Sequence, residues 1–201
     1  MDLNYRMCYT DLAINKNLDI IKLHLNFLFV ILKYHQYNYR KLRSYGGSDM
    51  KFKNSMLVVT DIEKSVEFYK KVFGLHVIMD FGANKTLTGG LALQTVETYK
   101  DFIGTNDISF GGNNFEIYFE EDDFDKFADR LKEYDIEYVH PIIEHSWGQR
   151  VVRFYDPDKH IVEVGENMKI VCKRFLDSGM TPEQVAEFMN VPMKFIKACM
   201  R

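Results

Sequence analysis

The chain has 201 residues, 46% hydrophobic and 27% charged, with a net charge of −3 at pH 7; this predicts a packed soluble domain with appendages and excludes a disordered chain. The charge is uneven: residues 1–49 carry seven Lys/Arg against four Asp/Glu, residues 50–167 carry 13 against 22, and residues 168–201 carry six against three. An acidic middle repels phosphate, so no nucleic-acid partner is expected for it. Cys8, Cys172 and Cys199 show no CxxC spacing, which argues against a disulfide framework or zinc knuckle and fits a reducing cytoplasm.

At the N-terminus, Leu18 to Tyr34 is the segment closest to a membrane span, but Asp19, Lys22, His24 and Asn26 interrupt it. Its apolar run is far short of the roughly 20 residues a span needs, so no membrane partner is expected. Residues 1–45 are rich in Asn, Lys, Ile, Leu and Tyr, as translated AT-rich DNA would be. Gly46-Gly47 precedes Met50, where glycine codons would spell a ribosome-binding sequence. The expected start is therefore Met50, with residues 1–49 an upstream extension; the alternative is a helix packing on the domain.

From Met50 the pattern changes. Met56 to Val59 reads as a strand. Asp61 caps a helix carrying Ile62, Val66, Tyr69 and Phe73 at helical spacing, and Gly74 ends it. His76 to Met79 is the next strand, Gly82 to Lys85 and Gly89-Gly90 are turns, and Leu91 to Val96 is a strand. A second copy of this order follows. Phe115 to Glu120 is a strand, and Asp122 or Asp123 caps a helix with Phe124, Phe127 and Leu131. Ile136 to Ile143, Arg150 to Phe154 and Ile161 to Val164 are strands. Each half alone leaves one sheet face naked, so the halves must pair around a shared cleft.

Val59-Thr60-Asp61-Ile62-Glu63-Lys64-Ser65-Val66-Glu67-Phe68-Tyr69, followed by Val72-Phe73-Gly74-Leu75, resembles the opening signature of the vicinal-oxygen-chelate superfamily (glyoxalase I, bleomycin-resistance proteins, extradiol dioxygenases). Phe154-Tyr155-Asp156-Pro157-Asp158 with Ile161-Val162-Glu163 resembles its ending. The resemblance covers residues 50–167. It implies an α+β fold, two βαβββ modules forming a curled mixed sheet around a cleft.

In metal-using members, side chains on the first and last strands of each module hold a divalent ion. Counting from the signatures places those positions at Asn54, Glu116 and Glu163, with a fourth near Gln94. Histidines usual at two of them are missing, and an all-oxygen set suits Mg²⁺, Ca²⁺ or Mn²⁺. Two carboxylates and one amide make a weak cage, so a metal-free cleft is the favoured expectation. Without a metal, Glu116 and Glu163 are candidates for a general base, since adjacent carboxylates resist double ionisation. They are equally candidates for binding a cationic ligand, or for ion pairs with Arg150 or a lysine.

His145-Ser146-Trp147-Gly148-Gln149-Arg150 stands where the family often reads W-G-x-R. Trp147 is a candidate cleft wall, Arg150 a candidate partner for a ligand carboxylate or for Glu163, and His145 a candidate acid or base. His76, His140 and His160 read as ordinary strand or edge residues. No phosphate-binding glycine loop or nucleophile arrangement is present.

Residues 168–201 lie beyond the family ending. Ile170 to Leu176 reads as a helix, stopped by Asp177-Ser178-Gly179. Thr181-Pro182-Glu183-Gln184 restarts it with a capping box, and Pro192 opens a last short helix. The tail resembles a small helix-turn-helix, yet Glu183 and Glu187 and few cations favour packing or dimer contact over DNA reading. The expected protein is a cytoplasmic homodimer binding a small organic molecule in the cleft. Three functions are open: a lyase or isomerase using Glu116 or Glu163, a drug-sequestering protein, or a ligand-sensing regulator using the C-terminal helices.

Overall fold

A computed structural model describes residues 50–201; the expectations for residues 1–49 lie outside it. Among the described residues, no helix is long and apolar enough to cross a membrane. Strand β1 (Ser55–Val59) leads into helix α1 (Ile62–Phe73), then β2 (Val77–Asp80), β3 (Asn84–Leu87) and β4 (Leu91–Thr95). Helix α2 (Val96–Ile103) links the two modules. The second comprises β5 (Glu116–Glu121), α3 (Phe124–Leu131), β6 (Tyr138–Glu144), β7 (Arg150–Tyr155) and β8 (Ile161–Glu166). Three helices close the chain: α4 (Met168–Asp177), α5 (Pro182–Phe188) and α6 (Met193–Cys199).

Local chemistry explains the first module. Asp61 sits in extended conformation and its carboxylate accepts from Lys64 N–H at 3.0 Å, satisfying one orphan donor of α1. Gly74, at φ 68°, ends the helix in the left-handed conformation that lacks a penalty only for glycine. Ser65, Tyr69 and Val72 form its buried stripe, while Leu57 and Val59 alternate inward from β1.

The four strands of each module form one mixed sheet, ordered β1-β4-β3-β2 and β5-β8-β7-β6. In both, the first strand runs parallel to the last and the other pairs are antiparallel. The α+β duplication is therefore as the pattern predicts. Two elements differ from it. The strand expected to reach Val96 stops at Thr95, and residues 96–103 turn into α2, which ends at Gly104 with φ 69°. Asn84 and Lys85, expected in a turn, begin β3 and pair with Gln94 and Leu93.

The modules interlock through α1. Phe73 stacks on Phe119, with ring centroids 4.1 Å apart, and also faces Phe127 and Phe154 of the second-module core. Full burial of side chains such as Phe154, Val162 and Val164 contributes about 1.5–3 kcal/mol each. The Asp-Pro-Asp turn adds polar ties. Asp158 Oδ1 accepts from both the N–H (3.0 Å) and the hydroxyl (2.6 Å) of Thr60, and Tyr69 donates its hydroxyl to Asp156 at 2.9 Å.

Helices α4–α6 bury Val171, Cys172, Val185, Met189, Ile196 and Cys199 against one another. The Thr181–Gln184 capping box is present in full. Cys172 and Cys199 are free thiols in this core. Burial, then the neighbouring Cys199 thiol, pushes Cys172 up to about 12, so it stays a neutral thiol at pH 7.

Candidate ligand cleft

The pleat of the second sheet sorts its side chains. Val162 and Val164 of β8 and Val152 and Phe154 of β7 face the core under α3. Glu163 and Arg153 therefore point to the opposite face, where the register sets them side by side, with Tyr118 of β5 on the other flank of Glu163. Glu163 is buried, with 6% exposure. A carboxylate so placed is costly without a cation.

Arg153 supplies that cation. One terminal amino group contacts the Glu163 carboxylate, and Nε donates to Glu116 Oε2 at 3.0 Å. The other terminal group lies 3.2 Å from His140 Nε2. Arginine has only donors, so Nε2 accepts; Nδ1 then carries the proton and donates to the Pro141 carbonyl at 2.7 Å. One guanidinium thus joins three side chains from three strands. The contact leaves Glu163 Oε2 without an aligned hydrogen bond.

A second cluster adjoins it. Gln149 donates to the Tyr118 hydroxyl (2.9 Å) and to the Glu166 carbonyl (2.8 Å), and accepts from the Trp147 indole (3.1 Å). Gly165 makes room for it: a Cβ there would stand 2.8 Å from Gln149 Nε2 and 3.2 Å from the Tyr118 ring. His145 stacks on Trp147 with centroids 4.2 Å apart. Burial, then the charge of Arg153, pushes His145 below the usual histidine range, so its imidazole is neutral at pH 7.

The candidates named from sequence divide accordingly. Glu116 and Glu163 meet, through Arg153, and Trp147 and His145 stand together beside Tyr118 and Gln149. Arg150 does not pair with Glu163. It lies on the helix-covered face, bound to Asp125 and Glu166 at 2.7 Å each and set over the Phe124 ring. In a strand, residues three apart point to opposite faces, so Arg153 and not Arg150 reaches Glu163. Asn54 lines a 260 Å³ cavity with Leu91, Ile117 and Tyr118, and none of Glu116, Glu163 or Arg153 lines it. Gln94 is buried, accepting from Asn84 at 2.8 Å and bonding Thr98 at the start of α2. The sequence reading missed Arg153 and passed over His140; alternation outward from Tyr155 on β7 was the available signal.

This arrangement does not fit the divalent ion that the fold implies. Among the described residues, no three His, Cys, Asp or Glu side chains are grouped to hold a metal. The two family carboxylates converge on a guanidinium, which an ion between them would have to displace.

Comparison with known proteins adds a family model, the glyoxalase-like domain, which matches residues 52–169. The uncharacterized protein YraH of Bacillus subtilis (strain 168) is 31% identical over 129 residues, 57% of this chain and 97% of YraH. Metallothiol transferase FosB of Lysinibacillus sphaericus (strain C3-41) is 30% identical over 106 residues, covering 52% and 74%. A crystal structure of a protein of unknown function from Agrobacterium tumefaciens str. C58 is 35% identical, with a TM-score of 0.55, covering 62% of this chain and 98% of that one.

Proposed function

The chain belongs to the glyoxalase-like family, and from that premise we propose that it binds a small aromatic cation on the cleft face of its second sheet. One observation carries this reading. Among the described residues that meet there, the carboxylates Glu116, Glu120 and Glu163 outnumber the guanidinium of Arg153, beside Tyr118 and, through Gln149, Trp147. An acidic surplus next to aromatic rings attracts a desolvated organic cation through charge and cation–π contact. The role is sequestration, and a homodimer belongs to the same proposal; a monomer by light scattering removes that part.

The test uses Trp147, the one tryptophan of the chain, as reporter. Proflavine is titrated against the full chain, with 1-anilinonaphthalene-8-sulfonate as an anionic control. Saturable quenching by proflavine is expected, weakened about fivefold by Glu116→Gln or Glu120→Gln, since one surface charge is worth about 1 kcal/mol. Equal binding of the anion, or indifference to both substitutions, would sink the reading.

Lyase or isomerase chemistry is a second reading, favoured by the neutral His145 close to the charge of Arg153. There His145 takes the proton and Arg153 faces developing negative charge. Glu116 and Glu163, both held by Arg153, suit the role of base less well.

A further inference from the structure

We infer that α5 and α6 form a DNA-binding helix-turn-helix, in which α6 enters the major groove of duplex DNA through Lys194, Lys197, Ala198 and Arg201. Helix α5 (Pro182–Phe188) and helix α6 (Met193–Cys199) are joined by four residues, the short connection this motif uses. Asn190 in that turn stands at φ 53°. The N–H groups of Asn190 and Val191 return to the Glu187 and Ala186 carbonyls at 3.1 and 3.0 Å, a Schellman closure that fixes where α6 starts. Val185 and Met189 before the turn and Ile196 and Cys199 after it are buried with Val171 and Cys172 of α4, so the inner stripe of α6 is fixed on a three-helix core.

Helical spacing then decides what α6 shows to solvent. Positions 194, 197, 198 and 201 recur at three and four residues, away from Ile196 and Cys199, and all four are exposed. Together they line a groove of 350 Å³. Three cations and no side-chain carboxylate border it, and none of the ion pairs among the described residues engages them. Glu183 and Glu187, which disfavour DNA when the tail is read as a sequence, lie on α5 and outside the groove. An open basic stripe on the second helix of such a pair is the surface that meets phosphates and base edges. The acidic middle of the chain repels a duplex, which leaves the basic tail as the face it approaches.

The test needs no organic ligand, so it fails separately from the cleft reading. A short fluorescein-labelled duplex with a randomised centre is titrated with the full chain, and anisotropy is read at several salt concentrations. Saturable binding that weakens as salt rises is expected. Lys194→Ala and Lys197→Ala should each lower the slope of log affinity against log salt by about 1. Ala198→Glu, which sets a carboxylate in the middle of the stripe, should abolish binding. All three positions are exposed, and a melting temperature equal to wild type confirms that the variants fold. Duplexes retained on the wild type should share a recurring sequence, and a retained pool without one overturns the major-groove assignment. Absence of binding at low salt, indifference to the three substitutions, or equal affinity for the single strand overturns the inference. So does binding to phosphatidylglycerol vesicles in place of the duplex, which would make the stripe a membrane surface.

Discussion

The ring of Phe175 lies where a side chain on Gly148 would begin. A Cβ built on Gly148 stands 2.3 Å from Phe175 Cζ and 3.0 Å from the ring of Phe188, and Gly148 itself is held at φ 83°. Arg174 closes the contact by donating to the Gly148 carbonyl at 2.7 Å. The turn that carries His145 and Trp147 is thereby the seat of the C-terminal helices.

Gly148→Ala is expected to lower stability by about 2–4 kcal/mol, the sum of an unfavourable backbone region and overpacking against two rings. Thermal melting measures it. Faster proteolysis within residues 168–201 should accompany the loss, since α4 and α5 are displaced first. A melting temperature equal to wild type would refute the seating.

Much of the fold was legible because its signals are local. The Asp61 cap, the Gly74 stop and the Thr181–Gln184 box each depend on residues three or four apart. Helix α2 was not legible: Val96, Thr98 and Tyr99 favour strands, and the Gln94–Thr98 bond that turns the chain is a side-chain contact. Counting from the signatures found Glu116 and Glu163, yet their partner lies across a strand pair. Choosing between Arg150 and Arg153 takes the alternation along β7 together with its register with β8, and the register does not follow from composition.

Glu166 anchors the other face of β7, with Arg150 at 2.7 Å and Arg174 at 2.9 Å. Burial alone would raise its carboxyl, but the hydrogen bonds from the Arg150 side chain and backbone outweigh it and hold the group below the usual range. The folded value lies below the unfolded one. The stability it contributes is thus complete above the ordinary glutamate range and is lost as pH falls through the folded value. Glu166→Gln is expected to cost about 3–5 kcal/mol at pH 7 by leaving two arginines underpaired. Urea melts from pH 7 downward should show the wild-type advantage shrinking with acid.

His145 gives a pH signal of a different kind. Its folded value is depressed, so the unfolded chain takes up a proton first as pH falls through the ordinary histidine range, and folding weakens there. Histidinium stacked on an indole quenches its emission. Trp147 fluorescence should therefore drop on acidification with a midpoint below that of a free histidine peptide. In His145→Asn the step should vanish, and its persistence would assign the titration elsewhere.

Thr181→Ala removes the hydroxyl that accepts from the Gln184 N–H at 3.2 Å at the start of α5 and should cost about 0.5–2 kcal/mol. Hydrogen exchange localises the effect: amides of α5 and α6 speed up while those of β7 and β8 hold their rates. Uniform acceleration would mean that the tail and the sheet open together.

The clasp of Asp158 on Thr60 spans 98 residues, from the end of one module to the beginning of the other. The residue that precedes the cap of the first helix is thus held by the far copy of the repeat, and Tyr69 within the helix bonds the same turn through Asp156. A half-length chain carrying the first module would meet its missing aspartates only in a second molecule, so the joined repeat holds within one polypeptide an association that separate halves would owe to concentration.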